Sequence, residues 1–261
     1  MATGKLKIDI RRQAILEQLN RDGQVFVTDL SQQLGITPVT IRNDLDTLAA
    51  EGRLERIQGG AIRKYQSPDT WNQLMGKNTP LQQEKHAIAE AVLDYVSNGD
   101  TLFINSGMTT LAVAELLSKR KKLNIVTNSL AVANYLSHQP DVRLILLGGE
   151  LNANYGFTCG GDALEQLNRY QSDWSIISVD GLHPEHGVTT YHADEALIDR
   201  TMIARARKAI FVADHRKIGR VGFSHICNID PNQILITDSG CDVPMLDRLE
   251  KTGLTLHVAS V

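Results

Sequence analysis

The stretch Thr37-Pro38-Val39-Thr40-Ile41-Arg42-Asn43-Asp44-Leu45 constrains the fold more than any other, because it is written as the opening of a helix. Thr37 is a residue type that caps a helix N-terminus, and Pro38 suits the first helical position, where a backbone N–H has no partner in any case. Ile41, Leu45 and Leu48 recur at i, i+4 and i+7 and define one buried stripe. Val39, Asn43 and Asp46 fall on the opposite face, with Thr40 and Arg42 on its flanks. Short hydrogen-bonding side chains and a cation near a helix start are what reading a DNA major groove requires.

The neighbouring segments complete a module. Ile8, Ile15, Leu16 and Leu19 predict a first helix over Ile8–Leu19 with Arg11 and Arg12 exposed, ended by Gly23. Val25–Val27 is a short extended piece. Thr28 is placed to cap a second helix, Asp29–Leu34, and Gly35 supplies the left-handed residue that closes it. Two short helices joined at a glycine turn form a helix-turn-helix. After Gly52, the extended runs Leu54–Ile57 and Ala61–Lys64 flank Gln58-Gly59-Gly60, a hairpin signal that predicts a wing. Arg53, Arg56, Arg63 and Lys64 are then available to phosphates. The residues expected at double-stranded DNA are Arg11, Thr28, Thr37, Val39, Thr40, Arg42, Asn43, Arg53, Arg56 and Gln58.

Charge is distributed to match. Residues 1–66 hold 10 Lys+Arg against 8 Asp+Glu, a net of +2, whereas the remainder holds 17 against 22, a net of −5. A module of +2 binds DNA weakly alone, so a homodimer or tetramer is expected. The apolar fraction of 42% excludes a disordered chain. Cys159, Cys227 and Cys241 have neither disulfide-framework nor zinc spacing. With no leader-like start and no apolar run near the ~18 residues of a membrane span, a cytoplasmic protein is expected.

Residues 66–83 read as a linker between a winged helix-turn-helix domain, 1–65, and a second domain, 84–261. From Glu84 onward, helical stretches alternate with short β-rich runs. Helices are expected over Ala87–Val96, Thr110–Leu117, Val132–Leu136, Ala163–Tyr170, Glu195–Arg207 and Met245–Leu249. Strands are expected over Thr101–Ile104, Asn124–Thr127, Val142–Leu147, Ser175–Val179, Ala209–Ala213, Ile234–Thr237 and Leu254–Val258. That alternation predicts an α/β domain with a mainly parallel, Rossmann-like sheet covered on both faces.

Ligands of such sheets bind at the carboxyl ends of strands, where the polar residues of this half cluster. Asn105, Ser106, Gly107, Thr109 and Thr110 follow the first strand and open a helix, a candidate anion cradle without the Gly-Lys-Ser/Thr ending of a P-loop. Asn128 and Ser129 follow the second strand, Gly149 and Glu150 the third, Asp180 the fourth and Lys217 the fifth; Glu195 opens a helix. Carboxylates suit sugar hydroxyls and the lysine suits phosphate. His183, His186 and His192 are too irregularly spaced for a metal site, and no cofactor is expected.

Taken together, these residues resemble the DeoR family of bacterial sugar-metabolism regulators over nearly the whole chain. The N-terminal match includes Arg11-Arg12, Leu19, Gly23, Leu30, Thr40-Ile41-Arg42, Asp44-Leu45, Leu48, Gly52, Arg56 and Gly59-Gly60-Ala61. The C-terminal match includes Ser106-Gly107, Thr109-Thr110, Thr127-Asn128-Ser129, Gly148-Gly149, Gly187-Val188-Thr189-Thr190, Glu195-Ala196, and Asp214 with Lys217. Asn43, Gln58, Asn105 and Met108 depart from the usual Arg, His, Asp and Thr. The resemblance implies a second domain with a fold related to ribose-5-phosphate isomerase. It also implies a repressor of a carbohydrate catabolic operon controlled by a phosphorylated sugar.

Two other classes compete with that reading. A sugar-phosphate isomerase carrying a DNA-binding module needs a carboxylate base and enediolate stabilisers, and Asp180, Glu195 and Lys217 are the right types. The isomerase pattern of a Gly-rich run with a carboxylate and Lys close behind is missing, since Glu195 is followed by Ala196-Leu197-Ile198-Asp199-Arg200. An interaction module with an incidental winged helix would show no DNA selectivity. The expectation is therefore a regulator and not an enzyme.

Overall fold

The computed structural model describes residues 2–22, 24–57, 59–62, 81–153 and 155–261, with backbone alone for 2–7, 20–22 and 24. The chain divides into two compact units, Met1–Asn72 and Gln73–Val261. Most of the expected linker, together with Gln58, Arg63 and Lys64, lies outside the described residues.

In the first unit, α1 (Ala2–Asp22), β1 (Gln24–Phe26), α2 (Val27–Leu34) and α3 (Pro38–Ala50) precede β2 (Glu55–Ile57) and β3 (Gly60–Ile62). Apolar residues of all three helices meet in one core, in which Ile15, Leu30, Ile41, Leu45 and Leu48 are fully buried. Thr37 caps α3, its Oγ1 accepting from the Thr40 N–H at 3.4 Å, with Pro38 in the first turn. Gly35 ends α2 at φ 63°, the left-handed conformation that glycine adopts without a Cβ penalty. Thr28 does not cap α2. The helix begins two residues earlier, at Val27 with Phe26 at the cap position, and the Thr28 hydroxyl bonds instead to Asp29 Oδ1 at 3.1 Å.

The wing pairs β2 with β3, and β3 also pairs with β1, giving a three-stranded antiparallel sheet of order β1-β3-β2. The third strand makes the wing more than a hairpin. Gly60 permits it, because a Cβ there would lie 2.1 Å from the Val25 carbonyl oxygen.

The second unit runs α4 (Gln82–Val92), β4 (Thr101–Ile104), α5 (Met108–Leu117), β5 (Leu123–Thr127), α6 (Leu130–Leu136) and β6 (Val142–Leu146). A hairpin of β7 (Glu150–Asn152) and β8 (Phe157–Cys159) follows, then α7 (Gly160–Leu167) and β9 (Ser172–Ser178). Next come β10 (Gly181–His183), β11 (Gly187–Thr190), α8 (Ala193–Ala204) and β12 (Ala206–Val212). The chain continues through a 3-10 turn (His215–Lys217), β13 (Ser224–Cys227), β14 (Ile234–Asp238), α9 (Val243–Glu250) and β15 (Thr255–Ala259).

Seven strands form one sheet of order β15-β14-β12-β9-β4-β5-β6, and every pairing in it is parallel. Side chains alternate across it, as the two-residue strand period dictates. Leu102, Ile104, Ile176 and Ile210 meet α4, α5 and α6 in one core, while Phe103, Ile177 and Phe211 meet α7, α8 and α9 in the other. The sequence is silent on the hairpin β7–β8 and the antiparallel sheet β10-β11-β13.

Strand order locates the crevice. The chain leaves β4 for β5 and β6 on one side, then returns to place β9 on the other side and continues to β12. The strand order reverses between β4 and β9, and the carboxyl ends at such a reversal are where open α/β sheets hold ligands.

Candidate functional site

On the first unit, α3 presents Val39, 63% exposed, with Arg42 and Asn43 also exposed and Thr40 half-buried beside them. Thr37 and Thr40 hydroxyls lie 3.0 Å apart at the exposed helix start. These expected groove-reading residues thus share one accessible face. Arg53 is exposed near the wing.

Arg11 and Arg12 are placed differently from the expectation. Their side chains are only 17% and 24% exposed, and Arg11 Nε and Arg12 Nε donate to the two oxygens of Asp44, the latter at 3.0 Å. Asp44 is itself 2% exposed on the inner side of α3. Two guanidinium groups compensate one buried carboxylate and tie α1 to α3. Arg56 likewise braces the wing: its Nε donates to Asp46 Oδ1 at 2.7 Å and its Nη1 to the Gly60 carbonyl. All three arginines are engaged within the module, bracing α3 and the wing.

At the β4/β9 crevice, Asn105 is fully buried and works as a clamp. Its Nδ2 donates to the Ser178 carbonyl at 2.9 Å and to Asp199 Oδ1 at 3.0 Å, and its Oδ1 accepts from the Ser178 N–H at 2.9 Å. One amide therefore joins the ends of β4 and β9 to α8. Asn105 is expected from the sequence to meet an effector; in the fold its side chain is buried and its amide is engaged by Ser178 and Asp199.

The adjacent cradle is also narrower than the sequence implies. Thr110 is fully buried and its hydroxyl turns back to the Asn105 and Gly107 carbonyls, at 3.0 and 3.1 Å; Thr109 is 6% exposed. Ser106 alone among the three hydroxyl residues expected there keeps appreciable exposure. What remains for an anion is Ser106 and the first-turn N–H groups of α5, which have no intrahelical acceptor. Gly107 is required on steric grounds, since a Cβ there would fall 1.9 Å from Ser178 Oγ.

Asn128 and Ser129 are buried and bond within the fold. Asn128 Nδ2 donates to the Thr158 carbonyl at 3.1 Å, fastening β5 to β8, and Ser129 Oγ caps α6 by accepting from the Val132 N–H at 3.3 Å. Gly149, at φ 134°, lets the chain pass the Cys159 carbonyl, which a Cβ would meet at 2.4 Å. Glu150 is exposed at the start of β7.

Asp180, Glu195 and Lys217 are brought together, as expected, by a residue not singled out for the site: Thr190. Thr190 Oγ1 lies 2.6 Å from Glu195 Oε2 and 2.9 Å from Asp180 Oδ2. Asp180 also accepts from Lys217 Nζ at 3.1 Å and from the Tyr191 N–H at 3.3 Å. Desolvation, reinforced by the Asp180 charge and opposed by Thr190 and Lys217, pushes Glu195 up to about 8. One helical turn on, desolvation and then the Glu195 charge also raise fully buried Asp199 well above the carboxylate range. The i, i+4 spacing of Glu195 and Asp199 was visible in the sequence, but the burial of Asp199 beside a half-buried Glu195 was not.

Asp214, named with Lys217 in the sequence, stands beside it together with Lys85 and Arg216, which pattern reading did not single out. Asp214 is 3% exposed and accepts from Arg216 Nε at 3.1 Å. Burial pushes its pKa up, but the Arg216 hydrogen bond and the charges of Arg216, Lys217 and Lys85 outweigh this and hold it below the ordinary value. Desolvation lowers Lys85 of α4, partly offset by Asp214. Lys85, Arg216 and Lys217 thus concentrate positive charge beside the acidic cluster, a pairing suited to a ligand with an anionic end and hydroxyl groups.

Residues 11–66 match the DeoR-like helix-turn-helix domain, and residues 81–239 match the DeoR C terminal sensor domain. The chain is 32% identical to the putative aga operon transcriptional repressor of Escherichia coli O157:H7, over 94% of this chain and 91% of that protein. It is also 32% identical to the glycerol-3-phosphate regulon repressor of Escherichia coli strain K12, over 95% of this chain and 98% of that protein. Among solved structures, ribose 5-phosphate isomerase A from Methanocaldococcus jannaschii aligns with 51% of this chain and 52% of its own, at a TM-score of 0.38 and 12% identity.

Proposed function

Because this chain belongs to the DeoR family of DNA-binding transcriptional regulators, we propose that it represses a carbohydrate catabolic operon and is controlled by a phosphorylated sugar bound at the β4/β9 crevice. The observation that carries the effector reading is the network of Asp180, Glu195 and Thr190 with Lys217, beside which Lys85 and Arg216 act on Asp214. Polyol hydroxyls meet the acids, and the phosphoryl group meets the cations and the start of α5. Thr37, Val39, Thr40, Arg42 and Asn43 read the operator, with Arg53 and the wing on the backbone. A homodimer or tetramer supplies the paired modules that a two-fold operator requires, in the cytoplasm, without turnover of the sugar. A coupling of ~1–3 kcal/mol per site changes operator affinity about 5- to 150-fold.

The test is thermal unfolding of the purified protein against phosphorylated sugars and their unphosphorylated counterparts, followed by operator binding with and without any hit. A ligand at 100 times its dissociation constant adds ~2.7 kcal/mol, a rise of a few degrees. Stabilisation by one phosphosugar that also changes DNA affinity supports the assignment. Equal response to the unphosphorylated sugar removes the phosphate from the recognised ligand.

A further inference from the structure

Thr190 poses a proton-counting problem. Its hydroxyl carries one hydrogen, yet it contacts two carboxyl oxygens, Glu195 Oε2 at 2.6 Å and Asp180 Oδ2 at 2.9 Å. Ionised carboxylates only accept, so one of the two contacts is unsatisfied unless a carboxyl group itself carries a proton. The surroundings decide which. Asp180 already accepts from Lys217 Nζ and from the Tyr191 N–H, both of which favour its ionised form. Among the described residues no such cationic donor is in hydrogen-bond contact with Glu195, which takes the shorter of the two Thr190 distances.

We propose that Glu195 is a neutral carboxylic acid in the resting sensor, the head of a proton-ordered chain running Glu195 O–H to Thr190 O–H to Asp180 carboxylate to Lys217 ammonium. The chain makes Glu195 a hydrogen-bond donor where its residue type suggests an acceptor. It also couples the site to pH: ionising Glu195 adds a negative charge beside the cations that meet an anionic ligand. Resting on the sugar-phosphate reading above, this second step makes effector binding weaken as Glu195 loses its proton.

The groups that bear on this proton are identifiable. Asp180 follows β9, Lys217 lies in the 3-10 turn, and Asp199 sits one turn further along α8. His192 and Asp194 belong to the start of the same helix. The elements packed on α8 contribute Cys159 of β8, Asp162 and Glu165 of α7, and His225 of β13, which bonds to Asn228. Arg200 of α8 points its guanidinium to the Ile226 and His225 carbonyls. Desolvation and the Asp180 charge dominate, raising Glu195 to about 8, so the acid is neutral at neutral pH.

The test uses full-length protein with glutamate carboxyl carbons labelled with carbon-13, the Glu195 resonance being identified by its loss in Glu195→Gln. In the ligand-free protein this resonance should titrate near pH 8, and in Lys217→Met its midpoint should move higher. A midpoint in the ordinary glutamate range overturns the proposal, as does a midpoint indifferent to Lys217→Met. Sulfate, a dianion across the range used, then probes the site. Its affinity should fall by up to about tenfold per pH unit above the midpoint in the wild type, a dependence absent in Glu195→Gln. A neutral Glu195 with no sulfate binding at any pH overturns the anion-site reading and the coupling, while leaving the proton-ordered chain supported.

Discussion

Asp44→Ala tests how the DNA-reading face is held. Asp44 lies on the inner side of α3, 2% exposed, between Arg11 and Arg12 of α1. Removing its carboxylate leaves two guanidinium groups, 17% and 24% exposed, facing each other across a gap in the core. Breaking one side of a buried ion pair costs ~3–5 kcal/mol, and partial hydration of the arginines argues for the lower end, ~3 kcal/mol. At ~1.4 kcal/mol per factor of ten, the opened module becomes roughly 100-fold more populated. Hydrogen exchange on the full-length chain reads this directly. Amides of Leu30, Ile41 and Leu45 should exchange roughly 100-fold faster, while those of Phe103, Ile177 and Phe211 in the other unit should not change. Asp44→Asn keeps the shape and one acceptor and should retain part of the protection. A loss below ~0.5 kcal/mol for Asp44→Ala, the range of an ordinary surface change, would refute the argument that this carboxylate holds α1 to α3.

Other outcomes follow from the same geometry. Arg42→Ala should weaken operator binding by ~1–3 kcal/mol by fluorescence anisotropy, with unchanged affinity removing Arg42 from the base contacts. Log affinity should fall with log salt at a slope near −0.9 for each phosphate neutralised, and a flat response would contradict backbone clamping by the wing. Gly107→Ala should destabilise the sensor by ~1–3 kcal/mol in chemical denaturation, because its Cβ would fall on Ser178 Oγ. Adding Ser178→Gly should recover much of that loss; no recovery would place the strain elsewhere. Glu195 is raised in the folded chain to about 8 from an ordinary 4.5. Its stabilising contribution is therefore complete below about 4.5 and is lost as pH rises toward 8, by at most ~1.4 kcal/mol per unit. Glu195→Gln should flatten that part of the stability–pH curve, and an unaltered curve would count against a raised Glu195.

The first unit is legible in sequence because its signals are local. A Thr cap, a Pro at the first helical position, a left-handed Gly and an apolar stripe act within a few residues of where they are written, and α2, the Gly35 turn and α3 follow from them. The larger strands announce themselves for the same reason, since both faces of the parallel sheet are buried and demand continuous apolar runs. Short pieces do not: β7, β8, β10, β11 and β13 span three or four residues each, and their partners are set by packing. A cap is also the weakest of local signals where two residues compete, as Thr28 illustrates.

What the sequence alone determined is the inventory: a DNA-reading helix with its wing, a doubly covered parallel sheet, and acids and cations at the strand ends. Which of those polar residues are buried in the fold and which share one network was decided only by tertiary structure. Arg11 meets Asp44 across 33 residues, and Asn105 meets Asp199 across 94. Separations of that size are closed by strand order and helix packing, which no local pattern encodes. The same closure turns Asn105 and Thr110 inward as clamps, while bringing Asp180, Thr190, Glu195 and Lys217 onto one shared network of hydrogen bonds. Desolvation beside a second carboxylate then changes the chemistry, pushing Glu195 up to about 8.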